Sequence, residues 1–293
     1  MRLTLALARR NMKLYFRDKT SVFFSLLGAL IVLLLYILFL SKVQADNIAA
    51  QLPMIPRVDI DNLINAWVIG GIISISTLTT ALGTLGAMVD DNTKGIIKDF
   101  RTAPISRMQL MLSYLISGVL SSVLINCVLF VVAEGYLVFS GGTLLPFVDI
   151  LKVLGLILLC CTSFTAISAF FVTLTKTPGA FGGLSTITGT LIGFLSGSYM
   201  PVGVFPQAVQ TIIRAMPFSY SAALFRRIFT RIPASAVFAN APEAFRTEYE
   251  LFWGIRVEAF GNELSVGTML LFIALMGLVF FAFSVWRLSK RLK

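Results

Sequence analysis

The segment Val89-Asp-Asp-Asn-Thr-Lys-Gly-Ile-Ile-Lys-Asp-Phe-Arg-Thr-Ala-Pro-Ile-Ser-Arg107 is an island of charge between two long apolar runs. Laid on a helix at about 100° per residue, Ile96, Ile97 and Phe100 form one face and Lys94, Lys98 and Arg101 another. Asp91 or Asn92 can cap the start, because their side-chain oxygens accept from the free N–H groups of a first turn. Pro104 stops the helix. The pattern predicts a short amphipathic helix of about ten residues, held at a membrane face by a spanning segment on each side. A helix so placed is built to be pushed by a partner.

The surrounding chain supports the membrane reading. Of its 293 residues 57% are hydrophobic and 13% charged, with a mean hydropathy of +0.88. A soluble domain carries about 25% charged residues. These values predict an all-α integral membrane protein. The net charge of +10 would suggest nucleic acid in a soluble protein. Here the charge is distributed by topology, so no nucleic-acid partner is expected. Histidine is absent, which removes histidine metal sites and proton relays. Cys127, Cys160 and Cys161 all fall in apolar segments and read as packing residues, neither a disulfide frame nor a metal site.

Residues 1–19 are amphipathic. Arg2, Arg9, Arg10, Lys13 and Arg17 share one arc of a helical wheel, with Leu5, Leu7, Met12, Leu14, Tyr15 and Phe16 over the rest. This predicts a helix in the membrane interface, its basic face toward anionic headgroups. A disordered basic leader that only sets topology is the competing reading. Val43-Gln-Ala45 resembles a signal-peptide cleavage site, but the apolar run before it, about twenty-one residues, exceeds the usual secretory length of about 7–15.

Six stretches are long enough to cross about 30 Å of hydrocarbon: residues 20–40, 64–88, 109–139, 150–174, 179–197 and 268–286. Lys and Arg cluster before the first, between the second and third (89–108), at Lys176 and after the sixth; Lys42, Arg57 and Lys152 stand on the other side. Leaving out the long final loop, the split is fifteen against three. The positive-inside rule then predicts both termini, and the opening segment, in the cytoplasm. The whole chain, 1–293, reads as a single transmembrane domain. Residues 198–267 form an outer connection. Val209, Ile212, Ile213 and Met216 recur at helical spacing before Pro217, and a second run covers 219–229, so two short helices dipping into or lying on the outer leaflet are expected. The polar, acidic stretch from 231 predicts a small external cap.

No Gly-x-x-x-x-Gly-Lys-Ser/Thr run occurs, nor His-Glu-x-x-His, nor Gly-x-Ser-x-Gly. The chain is therefore not expected to bind ATP, hold a metal or catalyse a reaction by itself. Two helix faces are candidate pathway or interface surfaces. In the fifth stretch Ser185, Gly189, Gly193 and Gly197 recur every fourth residue, a spacing that lets backbones approach closely, either between subunits or within one. In the second, Ser76, Thr77, Thr80, Gly83 and Thr84 share a side that suits an amphiphilic cargo. Their hydroxyls can equally return to the helix backbone. Glu134 is the one acid inside an expected span, near its outer end, with Lys152 as the candidate counter-ion.

Together these parts resemble the membrane permease subunit of a type-2 ATP-binding-cassette exporter. The resemblance covers nearly the whole length: basic leader, six spans, charged segment between spans two and three, and re-entrant helices between five and six. Asp91-x-x-x-Gly95 followed by Pro104-Ile-Ser-Arg107 is similar to one family segment. Gly197-x-x-x-Pro201, Phe205-Pro206 and Met216-Pro-Phe-Ser-Tyr220, ending at Arg226, resemble another. The resemblance implies that 89–108 is a coupling helix docking on the ATP-hydrolysing subunit. Asp91, Lys94, Ile96, Ile97, Lys98, Phe100 and Arg101 would then be its contact or supporting residues. It also implies a dimer of permeases, homo- or heteromeric, with spans one, two and five flanking the path, and ATP and Mg held by the partner ATPase. Two departures stand out. The family's usual Glu is Asp90 or Asp91, and its common Lys early in span three is replaced by Ser113-Tyr114. The expected function is export of an amphiphilic cargo (drug, lipid-like compound or antimicrobial peptide) across the cell membrane. Lipid-linked polysaccharide export is the alternative within the family. A secondary transporter or a membrane scaffold is the alternative outside it, though midplane carboxylates and interrupted inverted repeats are lacking.

Overall fold

Helix α1 (Arg2–Arg17) meets α2 (Lys19–Leu35) at an elbow of 76°. Asp18 makes the elbow, capping α2 by accepting the Ser21 N–H at 3.1 Å. The computed structural model describes residues 2–51, 53–97, 105–175, 177–259 and 261–291. After a π-helical turn at Tyr36–Leu40 the chain continues as α3 (Ser41–Gln51). The chain stays helical beyond Leu40, where the first apolar run ends, because 41–51 holds no Gly or Pro and Ala45 and Ile48 bury against the next helix.

That next helix, α4 (Arg57–Thr84), is the axis of the fold, and α5 (Gly86–Thr93) prolongs it. Ile60, Ile64, Trp67, Ile73 and Ile75 are fully buried or nearly so. Around α4 pack α2, α6 (Arg107–Phe139) and α7 (Phe147–Val172), with α8 (Pro178–Leu195) touching both α2 and α4. Local chemistry sets the ends. Ser106 and Gln109 form a reciprocal capping box at 3.2 and 2.9 Å before α6. Thr177 caps α8, with Pro178 in its first turn.

Beyond α8 lie α9 (Gln207–Arg214), α10 (Pro217–Phe229), α11 (Arg231–Val237), α12 (Glu243–Phe252), a two-stranded hairpin β1 (Glu258–Ala259) and β2 (Asn262–Glu263), and α13 (Val266–Arg291). Of the two short helices that follow α8, α9 keeps Val209 and Ile212 exposed and Ile213 buried. By contrast α10 is drawn into the bundle, its Ala222, Ala223, Phe225 and Phe229 packed against α4 and α13. The acidic stretch is a cap tied by ion pairs: buried Glu250 takes Arg246 at 2.8 Å and Arg256 at 2.5 Å. Arg227 reaches Glu263 at 2.9 Å. Trp67 on α4 donates its indole N–H to the Trp253 carbonyl at 2.8 Å, locking cap to bundle.

This is an all-α membrane protein. Among the described residues four helices are long and apolar enough to cross a bilayer: Arg57–Thr93, Met108–Phe139, Phe147–Val172 and Val266–Arg287. Taking the bent α1–α2 pair as one span would make five. The glycine-rich α8, 18 residues long, which carries the expected fifth stretch, is not among them.

Candidate functional site

The opening segment begins differently from its sequence pattern. Asp91 and Asn92 do not start a new helix; α5 runs on to Thr93. The break comes at Gly95, whose φ of +78° is the left-handed conformation that terminates helices and that only glycine adopts without strain. Ile96 and Ile97 then re-enter helix. Because the helix continues, Asp91 points inward and is buried, which removes it from any partner-facing surface. It accepts Arg10 of α1 twice, at 2.6 and 2.9 Å, and the Tyr114 hydroxyl of α6 at 2.6 Å. The hydrogen bond to Asp91 raises the Arg10 guanidinium above its usual range. So Tyr114 supplies the second donor. Lys94 is exposed and pairs with Asp90 at 3.2 Å. Ile97 packs on the apolar cluster of Leu85, Met88, Val89, Leu110 and Met111. Lys98, Phe100 and Arg101 lie outside the described residues.

Above this clasp, α2, α4 and α8 enclose an open groove of about 830 Å³. Phe24, Leu27, Ile31 and Leu35 of α2 form one wall; Thr79, Leu82 and Gly83 of α4 the floor; Ser185, Thr186, Gly189 and Thr190 of α8 the other wall. Among the described residues no charged side chain lines it. The Ser185 hydroxyl is left without a hydrogen-bond partner. The groove can take an apolar body and offer it hydroxyls, but no counter-ion.

A family model described as ABC-2 type transporter matches residues 2–230, from the interfacial helix through α10. The chain belongs to the ABC-2 type transporter family. It is a permease component of such a transporter, a multi-pass membrane protein, and not the ATPase; the family works with an ATP-binding-cassette ATPase. No curated protein matches the chain. The cap after residue 230 and α13 lie beyond the family match.

Within the permease, Ser76, Thr77, Thr80 and Thr84 of α4 are buried and are not among the described residues that line the groove. Thr77, Thr80 and Thr84 donate to the carbonyls of Ser74, Ser76 and Ala81 at 2.6, 2.5 and 2.8 Å. Gly83 alone of that set reaches the groove, where Ser25 sits against it. A polar stripe looks the same from sequence whether it faces cargo or a neighbouring helix. Asn126, in the middle of α6, meets this stripe: its amide donates to Thr80 Oγ1 at 3.0 Å and to the Ser122 carbonyl at 2.8 Å. A lone Asn in an apolar span was the available signal.

The small-residue stripe of α8 divides. Ser185 and Gly189 line the groove, and a Cβ on Gly189 would meet nothing within 4 Å. Gly193 is filled instead by the Tyr199 ring, which stacks edge-on to Phe194 at 4.8 Å and closes the end of the groove. Gly197 turns the chain with φ +63° over Arg226. Arg226, 1% exposed, has no carboxylate partner among the described residues. It donates to the carbonyls of Ser196 and Gly197 at 3.2 and 2.9 Å and to Ser198 Oγ at 3.1 Å. Its guanidinium lies 4.2 Å from the centre of the Trp67 ring. The cation thus satisfies the carbonyl end of α8, where the helix dipole is negative, and rests on an aromatic face.

Glu134 is buried near the C-terminal end of α6, but its expected partner is engaged elsewhere. Lys152 binds Asp149 at 2.8 Å, and Asp149 also takes Arg231 of the cap. The reason is reach: Asp149 is one turn from Lys152 on α7 itself. Glu134 accepts the Leu145 N–H at 3.2 Å with one oxygen, and the other has no partner.

Proposed function

We propose that this permease moves an amphiphilic cargo out of the cell through the groove between α2, α4 and α8. A drug-like, lipid-like or peptide cargo fits that chemistry. The carrying observation is an apolar, hydroxyl-bearing groove of about 830 Å³ with no charged lining among the described residues. An apolar body gains about 25 cal/mol per Å² buried there. A cargo charge would find no counter-ion inside, so it stays at the headgroup level. Six spans with both termini in the cytoplasm follow from the basic split of the loops. A second permease faces the open side of α8, and an ATPase subunit holding ATP and Mg supplies the energy.

The clasp supports the coupling step. Closure of the ATPase pushes 89–108. Asp91 binds that segment to α1 through Arg10 and to α6 through Tyr114. From there α1 leads through the Asp18 elbow into α2, and α5 leads into α4. These carry one wall and the floor of the groove, so a push on the segment alters its width. Ser185→Trp tests the path: in vesicles holding permease and ATPase, ATP-driven movement of a fluorescent amphiphile should fall about tenfold or more while the complex stays folded. Unchanged movement would reject the groove as the path.

A further inference from the structure

Helix α1 carries more charge than its packing uses. Thr4, Ala8, Asn11 and Tyr15 are buried against the bundle. At 3.6 residues per turn these four share one face, and Arg2, Arg9, Lys13 and Arg17 fall on the opposite one. All four cations are exposed. Arg10, which the sequence groups with them, is diverted to Asp91. The other four have no carboxylate within ion-pair distance among the described residues, and α1 has no acid of its own. Arg9, Lys13 and Arg17 follow one another at about 6 Å along the axis. Exposed apolar side chains border the cations on both sides, Leu5 and Phe16 on one and Leu3 and Leu14 on the other. The 76° elbow turns α1 across the direction of α2, so that with α2 spanning, α1 lies along the membrane surface.

We infer that Arg2, Arg9, Lys13 and Arg17 form a fixed binding face for the phosphates of anionic phospholipids. Unpaired cations flanked by side chains that insert beneath the phosphates are the make-up of an interfacial helix. An acidic protein surface would also attract the charge. It would leave the apolar borders in water on a convex helix, so lipid is the better occupant. The inference rests on the packing of α1 and on the membrane reading, and needs neither the cargo nor the ATPase.

The full chain is reconstituted without ATPase in nanodiscs of phosphatidylcholine mixed with phosphatidylglycerol, and the lipids at its boundary are compared with the bulk. The expected result is enrichment of phosphatidylglycerol that falls about threefold or more in R2Q/R9Q/K13Q/R17Q and on adding salt. The same enrichment should survive K42Q/R57Q, which removes cations on the other side. Salt titration of the unaltered chain gives the same answer should the fourfold variant fold poorly. No enrichment in the unaltered chain, or enrichment indifferent to both salt and the fourfold change, overturns the proposal. So does a folded fourfold variant that keeps its lipid selectivity, which would place the anionic-lipid contacts on other cations.

Discussion

Arg10 and Asp91 stand 81 residues apart in the chain and meet in a two-pronged ion pair of 2.6 and 2.9 Å. Asp91 is buried, while Arg10 is about one-third exposed. The pair, with Tyr114, makes one unit of α1, α5 and the first turns of α6.

Removing Arg10 leaves an almost buried carboxylate short of its cation. Breaking a fully buried pair costs about 3–5 kcal/mol, and the exposure of Arg10 reduces this to about 2 kcal/mol. Arg10→Gln should therefore lower the unfolding midpoint. Arg10→Gln with Asp91→Asn should cost less than the two changes summed. Thermal unfolding of the four proteins of this cycle measures the coupling. Strict additivity would mean the clasp holds nothing.

The elbow should weaken only in acid. Hydrogen bonds from Ser21 hold the Asp18 carboxyl below the usual carboxylate range. A depressed pKa means stability that is present above the unfolded value of about 4 and lost as pH falls through the folded value. Asp18→Ala should cost about 1 kcal/mol at neutral pH, the ordinary worth of an N-cap. It should also remove part of the acid limb of the stability profile below about pH 4. Thermal unfolding across pH shows both.

A methyl group on Gly193 would overlap the Tyr199 ring. Since the obstacle is the end of a side chain, the ring should swing away at a stability cost of about 1–2 kcal/mol. Gly193→Ala should change transport more than folding, and adding Tyr199→Ala should restore the lost stability. A double change as unstable as the single one would contradict this.

Arg226→Lys should behave as a disruptive change. A lysine cannot reproduce two forked bonds and the stack on Trp67, and leaving buried carbonyls unpaired costs about 1–3 kcal/mol each. Hydrogen exchange should show α8 and the Ser196–Tyr199 turn opening first.

Glu134→Gln should be nearly silent, within about 1 kcal/mol, because the amide oxygen can still accept the Leu145 N–H and no cation loses a partner. Glu134→Leu should cost more. Thermal unfolding distinguishes them, and a loss of transport in a folded Gln variant would reveal a cargo contact instead.

Much of the fold was legible because apolar length and charge placement are properties of the chain alone. The helices that bear 64–88, 109–139, 150–174 and 268–286 follow directly from such runs. The run past Leu40 was missed since a polar helix carries no apolar signature when its buried side is only Ala45 and Ile48. The site was less legible. Asp91 fits a cap by residue type, and only the partners brought from Arg10 and Tyr114 turn it inward. Ser76, Thr77, Thr80 and Thr84 read the same facing cargo or facing α6. Thr79, one step around that helix, is the hydroxyl that reaches the groove. The Glu134–Lys152 pairing assumed that the nearest cation was free, and Asp149 had already taken it.

The central claim is that an ATPase drives this permease through residues 89–108. Its most direct test is vanadate-sensitive ATP hydrolysis by candidate ATPase subunits reconstituted with and without the full chain, and with Phe100→Ala. The account predicts hydrolysis that requires the permease, responds to an amphiphilic cargo, and loses that response in the Phe100→Ala protein. Hydrolysis that proceeds identically without the permease, or that ignores the Phe100 change, would contradict it.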